Sequence, residues 1–140
     1  MLSQKEVERL HYGLLSHIKL QGDLEFQALS ELSSKFTLRT VPSGHTLWDL
    51  SSSNGDLNFI LEGTFAEYLQ RGSHSFILRF HRPNKFAFSE DLLLYSKRSD
   101  TYSKALSHAK VASLPSVHFQ NALRQGGLGA KLVEALINLS

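Results

Sequence analysis

The chain contains no cysteine. That absence excludes disulfides, thiolate metal sites and cysteine nucleophiles together. It also lacks an apolar run long enough to cross a bilayer as a helix. The N-terminus carries Lys5, Glu6, Glu8 and Arg9 where a signal peptide needs an apolar stretch. A cytoplasmic protein with no membrane partner is the expectation. Charge of one sign is scarce as well, since 15 Lys and Arg against 13 Asp and Glu leave a net charge of +2. The basic residues are dispersed, and Trp48 and the tyrosines stand apart from them. No nucleic-acid platform is expected from that pattern. There is no Gly-x-Ser-x-Gly elbow, no Walker loop and no dinucleotide fingerprint. A length of 140 residues fits one domain, 1–140, with a core of its own.

What is present divides into helices, then strands, then helices. Residues 3–34 carry two amphipathic patterns. Ser3 with Glu6 forms a capping-box signature, and Val7, Leu10, Leu14 and Ile18 recur at helical spacing. Gly22 is expected to end the first helix and Asp23 to cap the second. Leu24, Ala28, Leu29 and Leu32 form the second stripe, with Phe26 turned toward the sheet.

The period changes after Lys35. Phe36 to Val41 alternates as a strand does, Pro42-Ser43-Gly44 turns, and His45 to Trp48 returns. Asn54-Gly55 marks a loop, Leu57, Phe59 and Leu61 alternate, and Glu62-Gly63 reverses into Phe65 to Leu69. After Arg71-Gly72-Ser73, Phe76, Leu78 and Phe80 are expected on one strand face, with Ile77, Arg79 and His81 on the other. Asp91 to Tyr95 fits a single helical turn. Tyr102 to Leu106 and Val111 to Leu114 close the strand region. The fold class is mainly β: a β-roll, jelly-roll-like, of about eight strands over 36–114. Helices flank it at 3–34 and 116–139. No crossover helices separate the strands, so a parallel βαβ architecture is excluded.

Three segments together resemble the cyclic-nucleotide-binding domain, the sensor half of the CRP/FNR regulators. They are Val41-Pro42-Ser43-Gly44-His45-Thr46-Leu47, Asn58-Phe59-Ile60-Leu61-Glu62-Gly63, and the acidic turn Phe88-Ser89-Glu90-Asp91-Leu92-Leu93-Leu94. Ala105 and Val111-Ala112-Ser113-Leu114, followed by a helix through Phe119, extend the likeness to about residues 24–135. The resemblance implies a β-roll whose cassette turn presents backbone amides to a cyclic phosphate. An arginine pairs with that phosphate, and a glutamate contacts the ribose. Glu90 stands at the glutamate place. Ser89 stands where the cassette has glycine, and Asp91 follows. The closing Arg-Ser/Thr-Ala becomes Ser99-Asp100-Thr101, with Arg98 one residue away. Ser89, Glu90, Asp91, Arg98, Ser99, Asp100 and Thr101 are thus the candidate ligand residues of a degenerate cassette. Asp100 would repel a phosphate, so cAMP and cGMP are expected to bind weakly, leaving another small anionic ligand or a protein partner. Arg79, His81, Arg82, Lys85, Lys97 and Arg98 make a basic neighbourhood suited to an anion.

The functional expectation is therefore a non-enzymatic regulatory module with no resident cofactor. A cupin-like metal enzyme is the first alternative. His11, His17, His45, His74, His81, His108 and His118 supply imidazoles but no His-x-His pair, and no metal site is expected. A structural dimerisation domain is the second alternative. Ser116 is expected to cap a helix to Arg124, and Gly126-Gly127 to interrupt it. Leu132, Val133, Leu136, Ile137 and Leu139 then exceed one buried helix face, which implies a homodimer through the C-terminal helix. The chain stops at Ser140, about where a DNA-binding domain would begin in those regulators, so direct DNA binding is not expected.

Overall fold

The computed structural model describes residues 1–15, 18–19, 22–50, 56–89, 100–124 and 126–139. The capping box at the N-terminus is formed. The Ser3 N–H donates to Glu6 Oε1 at 2.8 Å, and the Glu6 N–H donates to Ser3 Oγ at 3.2 Å. Two of the donors that every helix start leaves unpaired are thereby satisfied. The Ser3 backbone bond in turn holds the Glu6 carboxyl below its ordinary range. Helix α1 follows over Gln4–Leu15. Helix α2 spans Gly22–Ser34. Gly22, at φ 85, opens α2, so Asp23 sits in its first turn and is not the cap. Leu29 and Leu32 are buried as expected, but Leu24 and Phe26 face solvent.

Eight strands follow: β1 (Thr37–Val41), β2 (Thr46–Trp48), β3 (Leu57–Glu62), β4 (Phe65–Arg71), β5 (His74–His81), β6 (Phe86–Ala87), β7 (Thr101–Ala105) and β8 (Ala109–Leu114). They form two four-stranded antiparallel sheets, ordered β1-β8-β3-β6 and β2-β7-β4-β5. The chain is mainly β, a jelly-roll with helices at its ends. The reversal between β3 and β4 requires glycine. Gly63 has φ 91, and a Cβ there would lie 2.6 Å from that of Ala109.

Two apolar clusters divide the work. The larger lies on the outer face of the first sheet. Leu57, Phe59, Leu61, Phe86, Ala112 and Leu114 meet Leu10, Leu14, Leu29, Leu32, Phe119 and Leu132 from the helices. The smaller fills the space between the sheets with Val41, Leu47, Trp48, Ile60, Phe65, Ala87, Ala105, Ala109 and Val111. Alternation carries this assignment along the strands, because residues two apart share a face.

The chain ends in α3 (Ser116–Leu123) and α4 (Gly126–Leu139). Ser116 lies inside α3, and Pro115 occupies the cap position without a side-chain bond. The Asp56 carboxylate accepts the Ser116 N–H instead, from the start of β3. Gly126 and Gly127 begin α4 rather than precede it. No described helix is long and apolar enough to cross a membrane.

Candidate ligand site

Most of the degenerate cassette lies outside the described residues: Glu90, Asp91, Arg98 and Ser99 all fall there, as does the helical turn expected at Asp91 to Tyr95. Its two ends are placed. Ser89 is buried. Asp100 is exposed, with its carboxylate 3.5 Å from Arg71 Nη1. Thr101 is buried and accepts the Trp48 indole N–H at 3.2 Å. The chain thus brings Thr101 onto the inner wall of the roll and leaves Asp100 at the surface.

The inner wall of the second sheet is where polarity concentrates. Phe65 and Ala105 belong to the core between the sheets, so Glu67 and Ser103, two residues away, share their face. Ser103 pairs with Trp48 on one side and with Glu67 on the other, and Glu67 pairs with Arg79. One transverse row therefore reads Trp48, Ser103, Glu67, Arg79 across all four strands. In the adjacent row His81 stands opposite Phe65.

Glu67 and His81 form a buried pair, with Nε2 and Oε1 2.8 Å apart. Arg79 Nε approaches the same oxygen at 3.5 Å, and its side chain is half exposed. A buried carboxylate is tolerated only when partners of this kind surround it. The His81 ring also lies 6.2 Å from that of Trp48. Ser103 differs from all of these. Its residue is 0% exposed, and its Oγ has no hydrogen-bond partner. On the facing sheet, Ser113 Oγ donates to Asn58 Oδ1 at 2.6 Å and Asn58 Nδ2 donates to Ala87 O at 3.2 Å, so that polar pair is satisfied.

The basic neighbourhood read from the sequence does not converge among the described residues. Arg79 joins the inner row, while Arg82 and Lys85 face solvent. Lys97 and Arg98 lie outside the described set. A further correction concerns β5. A register irregularity opposite Glu67 and Tyr68 leaves Leu78 without a β4 partner and breaks the expected alternation. Phe76, Ile77, Leu78 and Phe80 are all exposed on this edge strand, and of that strand His81 alone is buried. The histidines stay dispersed. His45, His74 and His108 are exposed, His11 and His118 half-buried, and His17 outside the described residues. Among the described residues no group of three His, Cys, Asp or Glu is placed to hold a metal.

No family model matches the chain, and no curated protein matches it. Solved structures do. A cyclic nucleotide-binding domain from Methylobacillus flagellatus superposes with a TM-score of 0.75 at 18% identity, covering 96% of this chain and 76% of that one. A putative cyclic nucleotide-binding protein from Geobacter metallireducens gives 0.75 at 15%, covering 99% and 96%. The regulatory subunit of a cAMP-independent protein kinase A from Trypanosoma cruzi, bound to guanosine, gives 0.74 at 14%, covering 96% and 44%. The chain spans 43% of a cAMP-bound PfPKA-R chain and 53% of the Thermus thermophilus catabolite activator protein. These likenesses establish the fold, that of cyclic-nucleotide-binding domains of the CRP/FNR and kinase-regulatory type.

Proposed function

We propose that this chain is a non-enzymatic sensor module, cytoplasmic, that holds a small ligand inside the roll and does not bind cAMP or cGMP tightly. The observation that carries this is the buried Glu67–His81 pair on the inner wall. Glu67 engages both His81 and Arg79, so neither of these bases is left to meet a cyclic phosphate in the space between the sheets. The sequence supports the same reading, since it lacks the cassette arginine and has Asp100 beside its place. A structure of this fold bound to guanosine supports it further, because a nucleoside carries no phosphate. Ligand entry would shift the packing of the terminal helices through unequal affinity for two arrangements, which a protein partner then reads.

Calorimetric titration tests the proposal. Dissociation constants for cAMP and cGMP should exceed about 100 μM, because a missing charge-assisted contact costs about 10- to 150-fold in affinity. Micromolar binding that disappears in Arg98→Ala would show a working phosphate site in the cassette and end the reading.

The proposal includes a homodimer through the C-terminal helix. Helix α4 buries Leu128, Leu132, Ala135 and Leu136 in its own protomer, and Val133 is half-buried. The side chains of Ile137 and Leu139 lie outside the described set. A dimer would therefore rest on Val133 and the helix end. Sedimentation should give a dimer that Val133→Glu dissociates, and a monomeric parent chain at high micromolar concentration would remove this part of the proposal.

A further inference from the structure

We infer that the free edge of strand β5 is an interface for a second copy of this chain, joined by antiparallel pairing of β5 with its own copy. This contact is separate from the one proposed through α4, which packs on the first sheet.

The first observation is how differently the four sheet edges end. Strand β6 has two residues and β2 three, too short to template another chain. Strand β1 has five, and none of them is a large exposed apolar residue. Strand β5 has eight, more than any other described strand. It contains no proline and no lysine, two residues that commonly blunt an edge. Phe76, Ile77, Leu78 and Phe80 are 54%, 54%, 42% and 51% exposed. Among the described residues its only backbone partner is β4.

The second observation is size. Half of four large side chains amounts to roughly 400 Å² of apolar surface, as much as the largest patch on a typical monomer. Two copies offer about 800 Å² from these side chains, and their backbone edges bring the pair near the roughly 1,000 Å² that a specific interface needs.

The third observation is that β5 matches itself. Glu67 faces the core between the sheets, so Arg79 opposite it, and Phe76 opposite Leu69, lie on the inner face. Ser75 opposite Gln70 and Phe80 opposite Ala66 lie on the outer face. Antiparallel neighbours must share a face. The unpaired Leu78 shifts the alternation by one residue, so a two-fold axis between Ile77 and Leu78 meets that condition on both sides of it. Phe76 then stands opposite Arg79 of the second copy on the inner face, and Ser75 opposite Phe80 on the outer.

Charge favours the same occupant. Arg79 is the one formal charge of the strand, and its Nε lies 3.5 Å from Glu67 Oε1. Arg82 and Lys85 follow the strand and lie outside the paired residues. The edge is therefore close to neutral. It holds no spare cation for an acidic strand and sets up no repulsion against its own copy, where Arg79 meets an aromatic ring.

The chain has no cysteine, so single cysteines report the pairing without background. The axis puts Ile77 and its copy at neighbouring positions within disulfide reach, and it separates the two copies of His74 by more than about 20 Å. Mild oxidation of the whole chain should link Ile77→Cys into a covalent dimer at least about 10-fold faster than His74→Cys. In sedimentation, Val133→Glu should associate again as its concentration is raised, because a contact of this size is weak. Adding Ile77→Lys should abolish that association, and so should adding Leu78→Lys. Both positions are exposed, so neither change should lower the melting temperature. Equal oxidation rates at positions 77 and 74 would overturn the pairing. Association that survives both lysine variants would place the contact elsewhere and overturn the interface. Val133→Glu that stays monomeric at every concentration would overturn the second copy as occupant and leave the edge to a strand from another protein.

Discussion

The two sheets are built from similar strands and face each other, yet they solve different problems. The first sheet is closed on both sides. Its outer face is apolar and covered by four helices, and its polar pair, Asn58 and Ser113, is bonded within the protein. None of the described helices packs on the second sheet. Its outer side shows the stacked Tyr68 and Tyr102 rings, 4.9 Å apart, and the exposed residues of β5. Its inner side carries Glu67, His81 and an unanswered Ser103. The difference teaches where the helical core lies, and it places the proposed recognition on the sheet that the described helices leave uncovered. Each sheet has a register irregularity, at Ile60 and Glu62 in the first and beside Glu67 and Tyr68 in the second, but only the second holds a buried hydroxyl without a partner, at Ser103.

Substitutions should respect that division. The largest effect belongs to the covered sheet. Phe59 is buried against Phe86, their rings 5.0 Å apart. Phe59→Ala should cost about 3–5 kcal/mol in urea unfolding. A loss under about 1 kcal/mol would show that the helical layer is not the main core.

The second sheet should respond in a different pattern. His81→Leu strands the Glu67 carboxylate and should cost roughly 3 kcal/mol. The double change Glu67→Leu with His81→Leu should recover most of it, since apolar replacement of a whole buried pair is often neutral. A double variant as unstable as the single one would make this pair structural and blur the comparison.

Next in size is the junction between the sheets. Gly63→Ala places a methyl at φ 91 against Ala109 and should cost about 1–3 kcal/mol. A neutral result would mean that the turn relaxes freely.

The smallest effect is at the edge of the covered sheet. Burial pushes the Asp56 carboxyl above its ordinary value, opposed by the Ser116 N–H and by Arg39. The folded state therefore holds this proton more tightly than the unfolded chain does. Stability from this group is greatest below the ordinary carboxylate value and declines as pH rises through the folded one. Glu6 runs the other way, its contribution being lost as pH falls through its lowered value. Asp56→Asn should change neutral-pH stability by less than about 1 kcal/mol and should remove this decline from the acid limb. An unaltered acid limb would show that Asp56 titrates normally.

Much of the covered sheet is legible in the sequence. Alternation at Leu57, Phe59 and Leu61 gives β3, and Glu62-Gly63 gives its reversal, because a positive φ narrows the choice to glycine. The capping box at Ser3 and Glu6 needs four residues of context and no more. The second sheet is less legible, for physical reasons. A register irregularity in β5 depends on how β4 lies beside it, so Phe76, Leu78 and Phe80 do not share a face as simple alternation predicts. The first sheet has its own illegible element, strand β6, which has two residues and carries no periodic signal. Glu67 reads as a solvent-facing charge until Phe65, two residues earlier, is known to be buried. Ser103 has no sequence signal at all. Its importance comes from Trp48 and Glu67 on neighbouring strands, separated from it by tens of residues. His81 and Arg79 were reachable as a basic pair but not as partners of a buried carboxylate.

The proposed recognition on the second sheet has one direct readout, the backbone amide spectrum of the labelled chain titrated with guanosine. Perturbations should gather at residues 65–69, 76–81 and 101–105, in strands β4, β5 and β7 of the second sheet, with β3 and β8 little changed. Shifts confined to the helices and the covered sheet would contradict the account.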